Sequence, residues 1–187
     1  MKKNSIGIYG GSFNPFHKGH EYVIQNTKKM LNLSHYYIVP SYHNPLKSKT
    51  IKISINKTLN DLRKAVEKLN VKVSPLEYSI KSQSTYGLLR KIKKKCLLEN
   101  FVLIIGLDQL LELEKWVNFE WIIQNISICI VNRPGYNKNI EKTNIYNKFS
   151  TYFMKSVDQF LLSTSPNLFL LDINGVEISS TTIRNNY

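Results

Sequence analysis

Length, composition and charge limit what this chain can be. Its 187 residues are 42% hydrophobic and 21% charged, which is ordinary for a globular protein, so a single domain over residues 1–187 is expected. It has no apolar run of about 18 residues, which excludes a membrane-spanning helix. It begins without the apolar segment of a signal peptide, and its 2 cysteines are isolated, so a cytoplasmic location is expected.

The charge balance has two interpretations. The chain carries 26 Lys and Arg against 13 Asp and Glu, a net charge of +13, and 22 of the cations are lysines. Such a balance is typical of nucleic-acid-binding modules, but a joint excess of Lys, Ile and Asn is also what an AT-rich coding sequence produces. In either case a basic surface would attract a polyphosphate ligand.

Short β-branched or aromatic runs alternate with stretches of helical periodicity along the chain. Strands that alternate with helices predict an α/β fold with a doubly wound parallel sheet and helices on both faces. The expected elements, in chain order, are a strand at 5–9, a helix at 20–33, a strand at 36–40, a helix at 55–69, a strand at 71–75, a helix at 85–98, a strand at 101–106, helical turns at 110–115 and 119–124, a strand at 126–131, a loop at 137–148, a helix at 151–163, a strand at 168–173 and a helix start at 180.

The strongest chemical signal is IYGGSFNPFHKGH at residues 8–20. The first strand is expected to end at Gly10, and the pair Gly10 and Gly11 then lets the backbone turn and approach a ligand without a Cβ clash. A helix start follows with His17 and His20, whose three-residue spacing places both imidazoles on nearly one side. Helix-start amides and imidazole N–H groups together favour a phosphate. The alternatives are half of a metal site, or two ordinary surface or core histidines.

A second constellation, EISSTTIR at residues 177–184, lies at the other end of the chain. Consecutive hydroxyl residues before an apolar residue are typical of a helix start. Hydroxyl donors, a helix N-terminus and the Arg184 guanidinium together would suit triphosphate oxygens. The alternative is a capped terminal helix with no ligand.

Both motifs resemble one superfamily. GSFNPFHKGH is similar to the GSF(D/N)PxHxGH signature of the nucleotidyltransferases that share an HxGH motif, and the C-terminal segment is similar to their ISSTxIR signature. The resemblance implies a Rossmann-like α/β fold and transfer of a nucleotidyl group from a nucleoside triphosphate. It implies catalytic roles for His17, His20, Lys47 and Arg184. It implies nucleotide contacts at Gly10, Gly11, Ser12, Phe13, His17, His20, Gly106, Asp108, Arg133, Ser179, Ser180, Thr181 and Arg184.

Weaker sequence features between the two motifs concern the acceptor. In order they are NPLK at 44–47, GLD at 106–108, Trp116 and RPGY at 133–136. This order resembles the bacterial nicotinate-nucleotide adenylyltransferases over nearly the whole chain. The resemblance implies acceptor contacts at Asn44, Thr85 and Trp116, with the indole stacked on a pyridine ring. Each feature also has a plain structural alternative: Trp116 as core, Asp108 as a helix N-cap, and residues 134–135 as a turn.

Two departures from that family stand out. Residues 84–89, STYGLL, lack the Asp and the second Thr of the usual Y-T-x-D-T-L pattern. The sequence also ends soon after Arg184, where the family continues through a further short helical segment.

The resemblance implies that ATP and nicotinate mononucleotide join to give deamido-NAD and pyrophosphate, a step of NAD biosynthesis. It implies Mg²⁺ as cofactor, bound mainly through the ATP phosphates and without a protein metal site. Neither a membrane nor a nucleic acid is expected as partner. The alternatives are another member of the superfamily, such as a phosphopantetheine adenylyltransferase, and a basic nucleic-acid-binding module. The choice between nicotinate and nicotinamide mononucleotide, and the oligomeric state, stay open.

Overall fold

A seven-stranded parallel sheet organises the computed structural model, which describes residues 5–13, 15–41, 55–82, 84–96, 99–132, 140–163 and 166–173. The strand order is β3-β2-β1-β4-β5-β7-β6, and each neighbouring pair is parallel. The strands are β1 Ser5–Gly11, β2 His35–Pro40, β3 Lys72–Val73, β4 Asn100–Gly106, β5 Ser127–Val131, β6 Phe153–Met154 and β7 Leu168–Leu171.

Helices connect the strands and cover both faces of the sheet. Their bounds are α1 Lys18–Leu31, α2 Ile55–Val66, α3 Leu76–Ser79, α4 Thr85–Lys95, α5 Leu107–Leu111, α6 Phe119–Asn125, α7 Asn144–Phe149 and α8 Val157–Leu162, with short 3-10 turns at Glu67–Leu69, Leu113–Lys115, Ile140–Lys142 and Ser150–Tyr152. No helix among the described residues is long and apolar enough to cross a membrane.

The central strands are buried on both faces, because successive side chains of a strand point to opposite sides. In β4, Leu103 and Ile105 join the apolar cluster that contains side chains of α4, α6 and α7. Val102 and Ile104 join the other cluster, with side chains of α1, α2 and α8. This double coverage confirms the predicted α/β sheet with helices on both faces, and it explains why the run at 101–106 is apolar throughout.

One polar contact is buried beneath α1. The hydroxyl oxygens of Thr27 and Tyr36 lie 3.0 Å apart, and the Thr27 hydroxyl also donates to the Val23 carbonyl. Burial raises the pKa of the Tyr36 hydroxyl well above its ordinary value, and it raises the pKa of the Cys129 thiol to about 12. Both groups are therefore neutral near pH 7, as a core between sheet and helices requires.

Two predicted elements are wrong in part. The loop expected at 137–148 contains a 3-10 turn at Ile140–Lys142 and the start of α7, because Ile145 and Phe149 are buried four residues apart and the Thr143 hydroxyl accepts from the Tyr146 amide at the helix start. The helix expected at 151–163 is interrupted by β6, which pairs with β7, so that a 3-10 turn precedes the strand and α8 follows it. The Ser156 hydroxyl caps α8 by accepting from the Gln159 amide.

Smaller differences concern the third strand and its surroundings. The strand expected at 71–75 is reduced to β3, which has two residues. The four-residue helix α3 follows it, and the Tyr78 hydroxyl of α3 donates to the Ser41 carbonyl at the end of β2. The other predicted strands and helices of the described chain are confirmed, with ends shifted by a few residues.

Candidate active site

The topology places a switch point at the carboxyl ends of β1 and β4. The chain leaves β1 towards β2 on one side, and it later returns on the other side of β1 as β4. The two strands pair from Ser5 with Asn100 up to Tyr9 with Ile104. Open α/β sheets bind ligands at such a switch point, outside the carboxyl ends of the strands. The predicted glycine and histidine motif starts at this edge.

The two histidines build the start of α1. His17 is the N-cap in extended conformation, and its Nδ1 accepts from the Gly19 amide at 3.1 Å. The Nδ1 of His20 accepts from the His17 amide at 3.3 Å, so the two side chains form a reciprocal capping box. Imidazoles here take the positions that hydroxyl and carboxylate groups usually occupy in this arrangement. The capping box satisfies two amides that a helix start otherwise leaves open.

The same bonds favour one tautomer of each ring. An imidazole nitrogen that accepts an N–H bond carries no proton, so a neutral ring holds its proton on the other nitrogen. With Nδ1 as acceptor in both rings, Nε2 is the nitrogen that a neutral His17 or His20 would use as donor. The rings stack with centroids 3.8 Å apart and planes 29° apart. The site thus has two N–H donors on adjacent rings at the start of a helix.

Aromatic side chains surround the imidazole of His20, which is 8% exposed. The ring of Phe16 is stacked on it at 5.5 Å and 27°. The ring of Phe13 meets it edge-on at 5.0 Å and 66°. Phe16 did not figure in the sequence analysis, although an aromatic residue next to a histidine at a helix start was a signal that it packs there.

The predicted reason for the glycine pair needs a correction. Strand β1 runs through Gly11 rather than ending at Gly10, and neither glycine has a positive φ. The left-handed residue of this segment is Phe13, at φ 46°. The two glycines differ in surroundings: a Cβ at Gly11 would lie 3.1 Å from the nearest atom of the Phe13 ring, whereas a Cβ at Gly10 would meet no atom of the described residues within 4 Å. Gly10 therefore borders open space at the sheet edge.

The end of β4 provides a second helix start. Gly106 is the N-cap of α5, and its amide donates to Oε1 of Gln109 at 3.1 Å. Asp108 lies in the first turn of α5, half-buried, so the alternative that it caps this helix is wrong. A carboxylate in the first turn is favoured by the helix dipole.

The predicted acceptor residues lie on α4 and after α5. Thr85 is the first residue of α4, and the preceding Ser84 caps the helix by accepting from the Gly87 amide at 3.2 Å. Gly87 stands where the family pattern has Asp, and a Cβ there would lie 2.7 Å from Oγ of Ser82. The Ser82 hydroxyl donates to the Ser84 carbonyl at 2.8 Å, so a larger residue at 87 would disturb the helix start.

Trp116 closes the 3-10 turn at Leu113–Lys115 and is half-buried against the core. Its amide donates to the Leu113 carbonyl at 2.9 Å. Part of the indole packs in the protein and part stays accessible. Trp116 is therefore only partly a core residue.

The structure brings the predicted residues of β1, α1 and α5 to one edge of the sheet. These are Gly10, Gly11, Ser12, Phe13, His17, His20, Gly106 and Asp108. Apart from Thr85 and Trp116 described above, the remaining predicted residues, and the helix start expected at 180, lie outside the described residues. They are Asn44, Lys47, Arg133, Ser179, Ser180, Thr181 and Arg184.

Comparisons with known proteins identify the family of this chain. A family model described as cytidylyltransferase-like matches residues 8–186. A relative from Flavobacterium johnsoniae, named "Probable nicotinate-nucleotide adenylyltransferase", is 31% identical over 183 residues, which is 96% of this chain and 84% of the relative. A relative of the same name from Methylorubrum extorquens is 28% identical over 181 residues, 96% of this chain and 98% of the relative.

A solved structure with a similar fold is that of Plasmodium falciparum nicotinic acid mononucleotide adenylyltransferase complexed with NaAD. Its TM-score is 0.72 at 20% identity, over 97% of this chain and 83% of that chain. The likeness confirms the Rossmann-like fold. The chain belongs to the cytidylyltransferase-like family, and within it to the nicotinate-nucleotide adenylyltransferases.

Proposed function

We propose that this chain transfers the adenylyl group of ATP to nicotinate mononucleotide, giving deamido-NAD and pyrophosphate for NAD biosynthesis in the cytoplasm. The observation that carries the proposal is the pair of Nε2–H donors at the start of α1, beside the switch point of the sheet. The names of the relatives support the choice of acceptor.

The reaction needs alignment and charge stabilisation more than a protein nucleophile. A 5′-phosphate oxygen of the acceptor attacks the α-phosphorus of ATP, the bond from that phosphorus to the bridging oxygen breaks, and pyrophosphate leaves with the electron pair. The attacking phosphate is already ionised near pH 7, so no general base is required. Oriented donors at the phosphates supply the rate enhancement.

The proposed roles combine position in the fold with the family motifs. His17 and His20 donate Nε2–H to the α- and β-phosphates, on which negative charge builds up in the transition state. The open space beside Gly10 lets the nucleotide approach the backbone of β1. Asp108 accepts from ribose hydroxyls at the end of β4. Lys47 and Arg184 neutralise the phosphates, as the family motifs suggest.

The remaining roles are also carried over from the family motifs. Trp116 offers the accessible part of its ring to the pyridine, and Thr85, at the start of α4, contacts the acceptor. The roles of Asn44 at the acceptor and of Arg133, Ser179, Ser180 and Thr181 at the nucleotide stay as the resemblance implies them.

Magnesium is proposed to enter with ATP. Among the described residues, no three His, Cys, Asp or Glu side chains are clustered to hold a metal ion. The nearby imidazoles are nitrogen donors, which Mg²⁺ disfavours, whereas phosphate oxygens suit it and allow it to keep several waters. Bound in that way, Mg²⁺ would neutralise charge on the phosphates.

One assay tests the proposal. The protein is incubated with ATP, Mg²⁺ and a panel of phosphorylated acceptors, and pyrophosphate release is measured. Turnover is expected with nicotinate mononucleotide above nicotinamide mononucleotide and phosphopantetheine. Turnover restricted to another acceptor would refute the substrate, and no release with any acceptor would refute the adenylyl transfer itself. A nucleic-acid-binding module would instead bind polynucleotide with a steep salt dependence.

A further inference from the structure

Phe13 holds an uncommon backbone conformation for a bulky side chain. Its φ of 46° lies in the left-handed region, which glycine and asparagine adopt far more readily. Its side chain is nevertheless 4% exposed and packed at the carboxyl edge of the sheet. A residue that persists in this conformation is held by its surroundings, and such residues cluster at functional sites.

The ring of Phe13 lies between the strand and the catalytic helix start. On one side it covers Gly11, where a Cβ would lie 3.1, 3.3 and 3.3 Å from Cζ, Cε1 and Cε2 of the ring. It meets Tyr9 edge-on at 5.2 Å and 77°. It also meets His20 edge-on at 5.0 Å and 66°. Because these three distances are nearly equal, the face of the ring, rather than its edge, lies over the position that a Cβ of Gly11 would take.

We propose that Phe13 is a positioning residue that sets the tilt of the His20 imidazole, and that Gly11 lacks a side chain in order to seat the Phe13 ring. The proposal rests on the proposed function, since it assigns Phe13 to the orientation of the Nε2–H donor. The family resemblance implies a nucleotide contact at Phe13; in this structure its ring acts through the histidine.

The physical reason lies in how the His20 ring is held. The bond from the His17 amide to Nδ1 is long, at 3.3 Å, and a long bond permits rotation about it. Edge-to-face contact with Phe13 and the stacked contacts with Phe16 and His17 restrict that rotation from several directions. The direction of Nε2–H changes with the tilt of the ring, and misplacement of a donor lowers the rate of the chemical step far more than it weakens binding.

The test compares Phe13→Leu with Phe160→Leu. Both phenylalanines are 4% exposed and belong to the same apolar cluster, but Phe160 lies on α8 and packs on Phe169. We expect Phe13→Leu to lower kcat about 10- to 100-fold, with KM for ATP within about twofold. Phe160→Leu should lower the unfolding midpoint without changing kcat. Equal kcat values for the two variants would overturn the proposal.

A double-mutant cycle tests the role assigned to Gly11. The Cβ of Gly11→Ala presses on the Phe13 ring, so this variant alone should lower kcat about 10-fold or more. In the Phe13→Leu background the smaller side chain leaves room, and Gly11→Ala should then cost less than about twofold. The same cost in both backgrounds would refute the coupling. If Phe13→Leu fails to fold, Gly11→Ala still displaces the Phe13 ring, and the NMR spectrum of His20 in that variant tests the positioning role.

A spectroscopic readout works without any enzymatic turnover. ¹⁵N NMR of the imidazoles should show His20 with its proton on Nε2 in the wild type and in Phe160→Leu. In Phe13→Leu and Gly11→Ala the ring should lose its fixed bond and show a mixture of tautomers. An unchanged His20 signature in both variants would overturn the positioning role. Absence of adenylyl transfer in the wild type would refute the proposed function and would leave this spectral test standing.

Discussion

Replacing His20 by asparagine separates the two roles that its ring combines. Nδ1 of His20 caps α1 by accepting from the His17 amide, and Nε2 is assigned as the donor to phosphate. An asparagine places an amide oxygen close to the position of Nδ1 and has no atom at the position of Nε2. His20→Asn should therefore keep the cap and lose the phosphate donor, whereas His20→Ala loses both.

The expected magnitudes differ for stability and for catalysis. Both variants lose the buried ring, and only His20→Ala also loses the helix cap, which costs about 1 kcal/mol. His20→Ala should thus be about 1 kcal/mol less stable than His20→Asn. Loss of one oriented donor lowers kcat by about 10²–10³, and this loss should be shared by both variants, with a smaller effect on KM for ATP.

The assay pairs urea unfolding with pyrophosphate release on the same preparations. A kcat for His20→Asn within about twofold of wild type would refute the donor role. Equal unfolding free energies for the two variants would refute the cap. Both roles of His20 are supported only if the two variants differ in unfolding free energy and share the same loss of kcat.

Three further outcomes are expected. Gly10→Ala should leave the unfolding midpoint unchanged, because its Cβ meets no atom of the described part of the chain within 4 Å, and should raise KM for ATP several-fold; an unchanged KM would show that the nucleotide does not approach this backbone. Trp116→Ala should raise KM for the mononucleotide about 3- to 10-fold, the equivalent of one lost ring contact, and an unaltered KM would remove Trp116 from the acceptor site. Stability should fall as pH rises above 9, because burial moves the pKa of Cys129 from 9.0 to about 12, so the unfolded chain loses that proton first; the slope is at most about 1.4 kcal/mol per pH unit. Urea unfolding of wild type and Cys129→Ala between pH 7 and 10 checks this, and identical slopes would contradict it.

The elements that the sequence predicts best are those whose conformation is determined by their own residues. The run at 101–106 is apolar at every position and becomes β4, the doubly covered strand beside β1. The spacing of His17 and His20 correctly places both rings at one helix start. These features depend on local periodicity and helix capping, and both can be read directly from the sequence.

The elements that sequence misses depend on contacts made across the fold. Strand β6 has only two residues, and pairing with β7 rather than any periodicity defines it. The left-handed Phe13 was not foreseen, because its conformation depends on a ring seated over Gly11 and beside His20. The glycine pair predicted a backbone turn and a close approach to a ligand, whereas the Cβ missing at Gly11 leaves room for the Phe13 ring.

The capping box limits which substitutions this turn can accept. Two imidazoles that cap a helix, and that are proposed to donate to a ligand, link helix stability to function, so most replacements of either ring would change both. Within the described part of the chain, the aromatic rings that contact His20 belong to one short stretch, from Tyr9 to His17. Protein engineers who wish to transplant the two histidines onto another parallel sheet should move these aromatic residues together with them.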